Sequence, residues 1–272
     1  MPEGDIVLRV ARRLDAALAG QRLVRGELRW PDLGGTDLAG VGVRGHGTHG
    51  KHLLTRLTDG RTLHTHLRME GRWQVLRTGD LAPAGRCRAD RSPQVRAVLA
   101  TPAWTCLGID LGLMDLVRTS EEDRLLGHLG PDVLAPGFDA DAAAERLRGQ
   151  GARPVAEALL DQRVVAGLGT IYTAETLWAH RLWPWTPAGE LGGQAADLLR
   201  TARRLMLRSV AARTPTATGD LRRTSQVHGR ERRPCPRCGT PVVRGTTGPP
   251  RPRQVFYCPA CQRPGRPARP EP

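Results

Sequence analysis

Four cysteines near the end of the chain, Cys235, Cys238, Cys258 and Cys261, are spaced as C-x2-C, nineteen residues, C-x2-C. Two tight turns that each present a pair of thiolates suit one tetrahedral ion, and four protein ligands leave no open position for water. The spacing predicts a single structural Zn2+ rather than a catalytic metal. Between the pairs, P-V-V-R and R-Q-V-F-Y read as two strands of a β-hairpin zinc ribbon. The hairpin carries Arg244, Arg251 and Arg253 and no acid, a cationic finger suited to phosphates. Cys87 and Cys106 stand alone and read as packing residues.

A second chemical feature is R-G-H-G-T-H-G-K-H-L-L-T, residues 44–55, which contains Lys51, the only lysine among 41 basic residues. Asparagine is absent altogether. A bias that replaces exposed lysine by arginine explains the skew. The surviving lysine is then either chance or a site that needs a compact, rotatable ammonium rather than a planar guanidinium. His46, His49, His52, His64 and His66 cluster around it in sequence. Their mixed spacing argues against a metal and for phosphate contacts or packing.

The third feature spans residues 153–185. A helix through Leu160 is interrupted by V-V-A-G-L-G, and a new helix begins at about Thr170. Gly167 and Gly169 permit unusual backbone angles and close approach. Thr170 is expected to cap the second helix, and free N–H groups at a helix start make an anion site. An ordinary helical hairpin explains the same residues.

The elements that must position these groups follow from periodicity. Residues 5–20 carry a helical apolar stripe, Ile6, Val7, Val10, Leu14 and Leu18, closed by Gly20. From Arg22 to Leu116 short alternating runs broken by glycine predict strands of a sandwich or barrel, with a turn at Asp59-Gly60. Helical texture returns after Thr119: Ser120-Glu121-Glu122-Asp123 reads as a helix start, followed by helices over 140–150, 155–160, 172–180 and 194–212. From Arg213 the Thr, Gly, Pro and Arg content predicts a mobile linker, and the last nine residues predict disorder.

A chain of 272 residues with net charge +14 and pI about 11.1 supports more than one domain and a polyanionic partner, nucleic acid first. No run of 18 apolar residues is present, which excludes a membrane-spanning helix. The start M-P-E-G-D lacks the cationic and apolar regions of a signal peptide, so a cytoplasmic protein with reduced cysteines is expected.

L-L-D-Q-R-V-V-A-G-L-G-T-I-Y-T-A-E resembles the helix–two-turn–helix motif of the formamidopyrimidine-DNA glycosylase and endonuclease VIII family. M-P-E-G at the start, G-K-H-L with the later H-L-R-M-E-G, and a four-cysteine finger containing R-x-x-F-Y-C agree in order. The resemblance covers essentially the whole chain. It implies an α+β multidomain fold. Residues 1–117 would form an N-terminal catalytic β-sandwich with flanking helices, and residues 118–232 the helix–two-turn–helix DNA-binding domain. Residues 233–263 would be the zinc finger and 264–272 a disordered tail. Damaged DNA would lie in the cleft between the domains, bound by a monomer in the bacterial cytoplasm.

The resemblance also implies roles. Pro2, exposed as the N-terminus once Met1 is removed, would attack the sugar C1′. Its α-amine has an ordinary pKa of about 7.7–8.0, so a useful fraction is neutral at pH 7, and a secondary amine gives a permanently cationic iminium. Glu3 is similar to the family's general acid/base. Lys51 is similar to a loop lysine that contacts phosphate and assists proton transfer, and Arg253 to the finger arginine that grips phosphates. Met69 matches the side chain wedged into the void left by the flipped base; the plain alternative is a core methionine. Gly167, Gly169 and Thr170 would contact DNA at the turn.

Three departures bear on specificity. Thr170 stands where the family usually has asparagine, which weakens its phosphate role. C-L-G-I-D-L-G-L-M, residues 106–114, replaces an arginine-rich wedge, and the loop ahead of the finger is short, residues 217–230. With P-E-G-D they favour the endonuclease VIII branch and oxidised pyrimidines over 8-oxoguanine. The alternatives are an 8-oxoguanine or formamidopyrimidine-type enzyme, and a non-catalytic zinc-finger protein that binds damaged DNA.

Overall fold

The structure, a computed structural model, describes residues 2–78, 88–248 and 252–265. The chain divides into two compact units: Met1–Pro2 with Ile6–His128, and Glu3–Asp5 with Leu129–Pro272. Cys87, Arg251 and the last seven residues of the expected tail lie outside the described residues.

In the first unit, helix α1 (Gly4–Leu18) buries Val7, Ala11, Leu14 and Leu18, the 4-3-4 spacing of one helix face. Gly20 ends it with φ +73° and donates its N–H to the Val43 carbonyl. Eight strands follow: β1 (Arg25–Leu28), β2 (Val43–His49), β3 (His52–Leu57), β4 (Arg61–His66), β5 (Arg72–Arg77), β6 (Val95–Ala100), β7 (Trp104–Ile109) and β8 (Leu113–Arg118). They form two four-stranded antiparallel sheets, ordered β1-β6-β7-β5 and β2-β3-β4-β8. Period-2 alternation turns Leu53, Leu57, Leu63 and Met114 of one sheet and Leu28, Ala97, Leu99 and Cys106 of the other into a single core with α1. Truncating one of these leucines to alanine costs about 2–5 kcal/mol. Cys106 is fully buried, as its packing role requires, and burial pushes its thiol up to about 12. A 3-10 turn at Thr119–Glu121 leads into the short α2 (Glu122–Leu126).

The second unit contains α3 (Ala140–Arg148), α4 (Val155–Leu160), α5 (Thr170–Ala179) and α6 (Gln194–Ala211), and the hairpin β9 (Val243–Thr246) with β10 (Gln254–Tyr257). Asp139 caps α3 by accepting from the N–H groups of Asp141 and Ala142. Helix α5 is buried on nearly every side, from Tyr172 to Trp178, so it is the scaffold on which the unit is built. The segment after Arg213, expected as a mobile linker, is instead tied down. Glu175 of α5, 2% exposed, accepts the N–H groups of Gln226, Val227 and His228 at 2.7, 2.9 and 2.9 Å. Composition signals a lack of regular structure here, but the buried acceptor supplies the order. Among the described residues no helix is long and apolar enough to cross a membrane.

Candidate active site and metal centre

Glu3 is 1% exposed, and its carboxylate sits on the start of α5. One oxygen accepts from Gly169 N–H at 2.7 Å and Tyr172 N–H at 3.4 Å; the other accepts from Ile171 N–H at 2.7 Å. The anion site expected at this helix start therefore holds the chain's own acid, whose charge is compensated by unpaired N–H groups and the helix dipole. Thr170 is not the cap: Gly169 occupies that position with no side-chain cap, and Thr170 opens the helix. Its hydroxyl lies 3.4 Å from His228 Nε2. The carboxylate of Glu3 does the work that a capping side chain does elsewhere.

The turn that presents these N–H groups is built locally. Gln162 accepts from Gly167 N–H and donates to the carbonyls of Leu160 and Leu168. Gly167 has φ +105°, and its carbonyl accepts from Gly4 N–H at 3.0 Å. At Gly169 a Cβ would lie 2.4 Å from Glu3 Cδ, so any side chain there displaces the acid. Asp5 braces the same segment: Tyr172 and Ser209 donate their hydroxyls to one of its oxygens at 2.6 and 2.7 Å. Burial and the adjacent Asp5 carboxylate push the Tyr172 phenol well above its ordinary range, so it remains a donor. Ser209 was not signalled by the sequence; Asp5, in P-E-G-D, and Tyr172, in T-I-Y-T-A-E, stood in quoted strings without a role.

In the first unit, Lys51 occupies the β2–β3 turn after Gly50 (φ +58°) and is 7% exposed. Burying a lysine is costly unless the charge is used. His52, His64 and His66 pack on one another next to it rather than around an ion, and His46 pairs with Asp15 at 3.2 Å. Met69 is 63% exposed, which rules out the core alternative. Its turn is tight: Gly71 N–H returns to the Leu67 carbonyl at 2.9 Å, and a Cβ on Gly71 would meet that oxygen at 2.4 Å. Pro2 is half-buried.

The ligand atoms of Cys235, Cys238, Cys258 and Cys261 lie within 4.8 Å of one another. Sulfurs bound at about 2.3 Å to one tetrahedral ion stand about 3.8 Å apart, so the four fit a metal. Trp178 Nε1–H points at the Cys235 sulfur at 3.4 Å and Cys261 N–H at the Cys258 sulfur at 3.5 Å. Such N–H donors stabilise thiolates in metal sites. The module is docked on the helical unit: Arg237 lies over the Trp178 ring at 3.9 Å, and Glu157 accepts Gly248 N–H at 2.6 Å. Arg253 is exposed near the hairpin end, where its N–H donates to the Thr247 hydroxyl at 2.8 Å.

Residues 1–106 match the family model of the formamidopyrimidine-DNA glycosylase N-terminal domain, and residues 129–219 that of the formamidopyrimidine-DNA glycosylase H2TH domain. Over 264 residues the chain is 42% identical to a probable endonuclease 8 2 of Streptomyces coelicolor, covering 96% of this chain and 94% of that protein. The chain belongs to the formamidopyrimidine-DNA glycosylase and endonuclease VIII family. Another member, the DNA-(apurinic or apyrimidinic site) lyase Nei2 of Mycolicibacterium smegmatis, is 36% identical over 96% of this chain and 99% of its own. A crystal structure of wild-type Lactococcus lactis Fpg with DNA containing N7-benzyl-Fapy-dG is 25% identical, with TM-score 0.78 over 96% of this chain and 99% of that one.

Within this glycosylase-family fold, the second unit brings Glu3, Gly167 and Gly169 together, with Thr170 beside them and Arg253 apart on the hairpin. Lys51 and Met69 sit on two separate turns of the first unit. Of the residues that brace this arrangement and that the sequence did not single out, Tyr172 and Glu175 lie in α5, Ser209 in α6 and Gln162 in the turn between α4 and α5. Gln162, Tyr172 and Glu175 lie within the L-L-D-Q to T-I-Y-T-A-E string, and Ser209 has no such signal.

Proposed function

We propose that this protein excises oxidised bases, pyrimidines foremost, from DNA and then cleaves the strand at the abasic site through a Schiff base on Pro2. The family is one of base-excision-repair glycosylases with lyase activity, and that coarser reading applies to the chain as a whole. The observation that carries the finer reading is the carboxylate of Glu3, buried and held by three N–H groups directly after Pro2 in the chain. An acid so fixed beside an N-terminal amine is suited to proton transfer at a reacting sugar.

In this reading the Pro2 nitrogen adds to C1′ and the damaged base leaves with the bonding electrons. The Glu3 carboxylate takes the proton released by the Pro2 nitrogen and passes it to the ring oxygen as the C1′–O bond opens, leaving the iminium. Loss of the 2′ proton then expels the 3′ phosphate, and a second elimination expels the 5′ phosphate. Lys51 and Arg253 hold phosphates around the flipped nucleotide, and Met69 fills the gap in the stack. Gly167, Gly169 and Thr170 lie along the DNA backbone. Residues 1–117 carry the nucleophile and the lysine, 118–232 the helix–two-turn–helix domain and 233–263 the finger. The four cysteines hold one structural Zn2+, and the protein works on damaged DNA as a monomer in the cytoplasm.

Borohydride trapping across a lesion panel tests this. Thymine glycol and abasic DNA are expected to give a covalent adduct more readily than 8-oxoguanine. No adduct from protein lacking Met1, despite tight DNA binding, would instead favour the non-catalytic binding protein.

A further inference from the structure

On the face of sheet β2-β3-β4-β8 opposite the core, four polar side chains fall in one row. Alternation sets His52 against the direction of Leu53, His64 and His66 against Leu63, and Asp115 against Met114. Register then pairs His52 with His66 and His64 with Asp115. His64 Nδ1 lies 3.0 Å from Asp115 Oδ2, and His64 Nε2 lies 2.8 Å from His52 Nδ1. The two rings lie nearly parallel, 17° apart, with centroids 5.0 Å apart along the bond, and His66 meets His52 edge-on at 4.9 Å.

These bonds can run in only one direction. A carboxylate only accepts, so His64 carries its proton on Nδ1 and accepts the Nδ1–H of His52 at Nε2. His52 Nε2 is left unprotonated. His66 is set separately: Arg68 N–H donates to its Nδ1 at 2.9 Å, which leaves the proton on Nε2. The other acid near His64, Glu122, is already engaged by Arg56 at 2.9 and 2.7 Å and by Thr62 at 2.7 Å, which makes Asp115 the working acceptor. His49 and His128 face His52, and Arg68 and Lys51 face His66. Burial pulls His52 down to about 3 and His66 to about 4, so both imidazoles are neutral at pH 7. His52 directly follows Lys51, and the chain of bonds ends in Asp115, whose side chain is 40% exposed. Simple packing needs no such order, since aliphatic residues fill a sheet face without polar atoms to satisfy.

We propose that Asp115, His64 and His52 form a positioning relay for Lys51, in which the carboxylate orders both imidazoles and the ordered His52 fixes the turn that carries the lysine and the His66 ring that the lysine faces. This inference rests on the reading of Lys51 as part of the DNA-processing site.

Because the chain has one lysine, protein grown on 13Cε,15Nζ-lysine gives a single side-chain signal for Lys51. Two variants are compared with wild type: His64→Phe, which keeps a ring but breaks the chain, and Asp115→Asn, which keeps an acceptor oxygen but removes the charge. In His64→Phe the Lys51 titration is expected to move by about one pH unit, a tenfold change in proton affinity. Its lyase kcat is expected to fall on the order of 10- to 100-fold, with DNA affinity within about 2-fold. Asp115→Asn, at a partly exposed position, is expected to fall between wild type and His64→Phe. A Lys51 titration unmoved in folded Asp115→Asn, whatever His64→Phe does, overturns the relay. Failure of the Schiff-base reading would appear elsewhere, as a missing borohydride adduct in wild type while the Lys51 signal still moves in the variants.

Discussion

The Glu3 carboxylate lies 2.7 Å from the N–H of Gly169, and a Cβ on Gly169 would stand 2.4 Å from Glu3 Cδ. The glycine is therefore needed for the space it leaves rather than for its backbone angles, since φ is −134°. Gly169→Ala is expected to push the acid off the helix start. Overpacking of this kind costs about 1–3 kcal/mol, and displacement of an acid by an ångström lowers excision on the order of 100-fold. Thermal denaturation and single-turnover excision measure the two effects. Wild-type turnover in the alanine variant would separate Glu3 from the chemistry.

Pro2 supplies a nucleophile only as a free amine. Protein that keeps Met1 ahead of an unchanged Pro2, for example when expressed with methionine aminopeptidase inhibited, is expected to lose borohydride trapping altogether while keeping DNA affinity within about 3-fold, because phosphate contacts dominate affinity. Mass spectrometry of the N-terminus and a filter-binding assay check both halves.

Lys51→Arg tests why one lysine survives among so many arginines. Guanidinium keeps the charge but not the compact, mobile donor. Excision and strand cleavage are expected to fall on the order of 100-fold, the scale of acid–base assistance, with binding nearly unchanged. Rates close to wild type would return the residue to chance.

The cysteine cluster is expected to hold one Zn2+ per chain, measured by elemental analysis. Chelation, or Cys258→Ser, is expected to unfold the hairpin and abolish specific DNA binding. Circular dichroism is expected to retain the α3–α6 helical signal, because most of that unit's core lies away from the sulfurs. Full DNA binding by metal-free protein would detach the finger from recognition.

Stability is expected to fall with acidification through the buried histidines. Burial lowers His52 to about 3 and His66 and His228 to about 4, against an ordinary value of about 6.5 in the unfolded chain. Between those limits the unfolded state binds more protons, so stability is complete above pH 6.5 and is lost as pH falls toward 4. Each such histidine contributes a slope of up to about 1.4 kcal/mol per pH unit. Tm measured from pH 7.5 to 4.5 should show the decline, and His66→Gln should flatten it. An unchanged slope in that variant would mean that His66 titrates normally.

What could be read along the chain was whatever local chemistry dictates. Four cysteines at short, repeated spacing fit one metal ion, and the α1 stripe and the alternating strands each declare themselves within a few residues, while the helix–two-turn–helix string was legible by its resemblance to the family. Lys51 stood out by type and setting and Met69 by its place in the family-like H-L-R-M-E-G string, but the burial of the first and the exposure of the second did not. Pairings between distant residues were invisible. Glu3 meets its donors across 166 positions and Asp5 meets Ser209 across 204, and no local pattern encodes such contacts. Thr170 was misread as the cap because a hydroxyl at a helix start satisfies local rules, whereas the fold brings a stronger, charged acceptor from the other end of the chain. The segment after Arg213 was misread as loose for the same reason: composition reports the absence of regular structure, but Glu175 holds the backbone at residues 226–228, and Arg208 and the Thr216 hydroxyl hold it at Ala217 and Gly219.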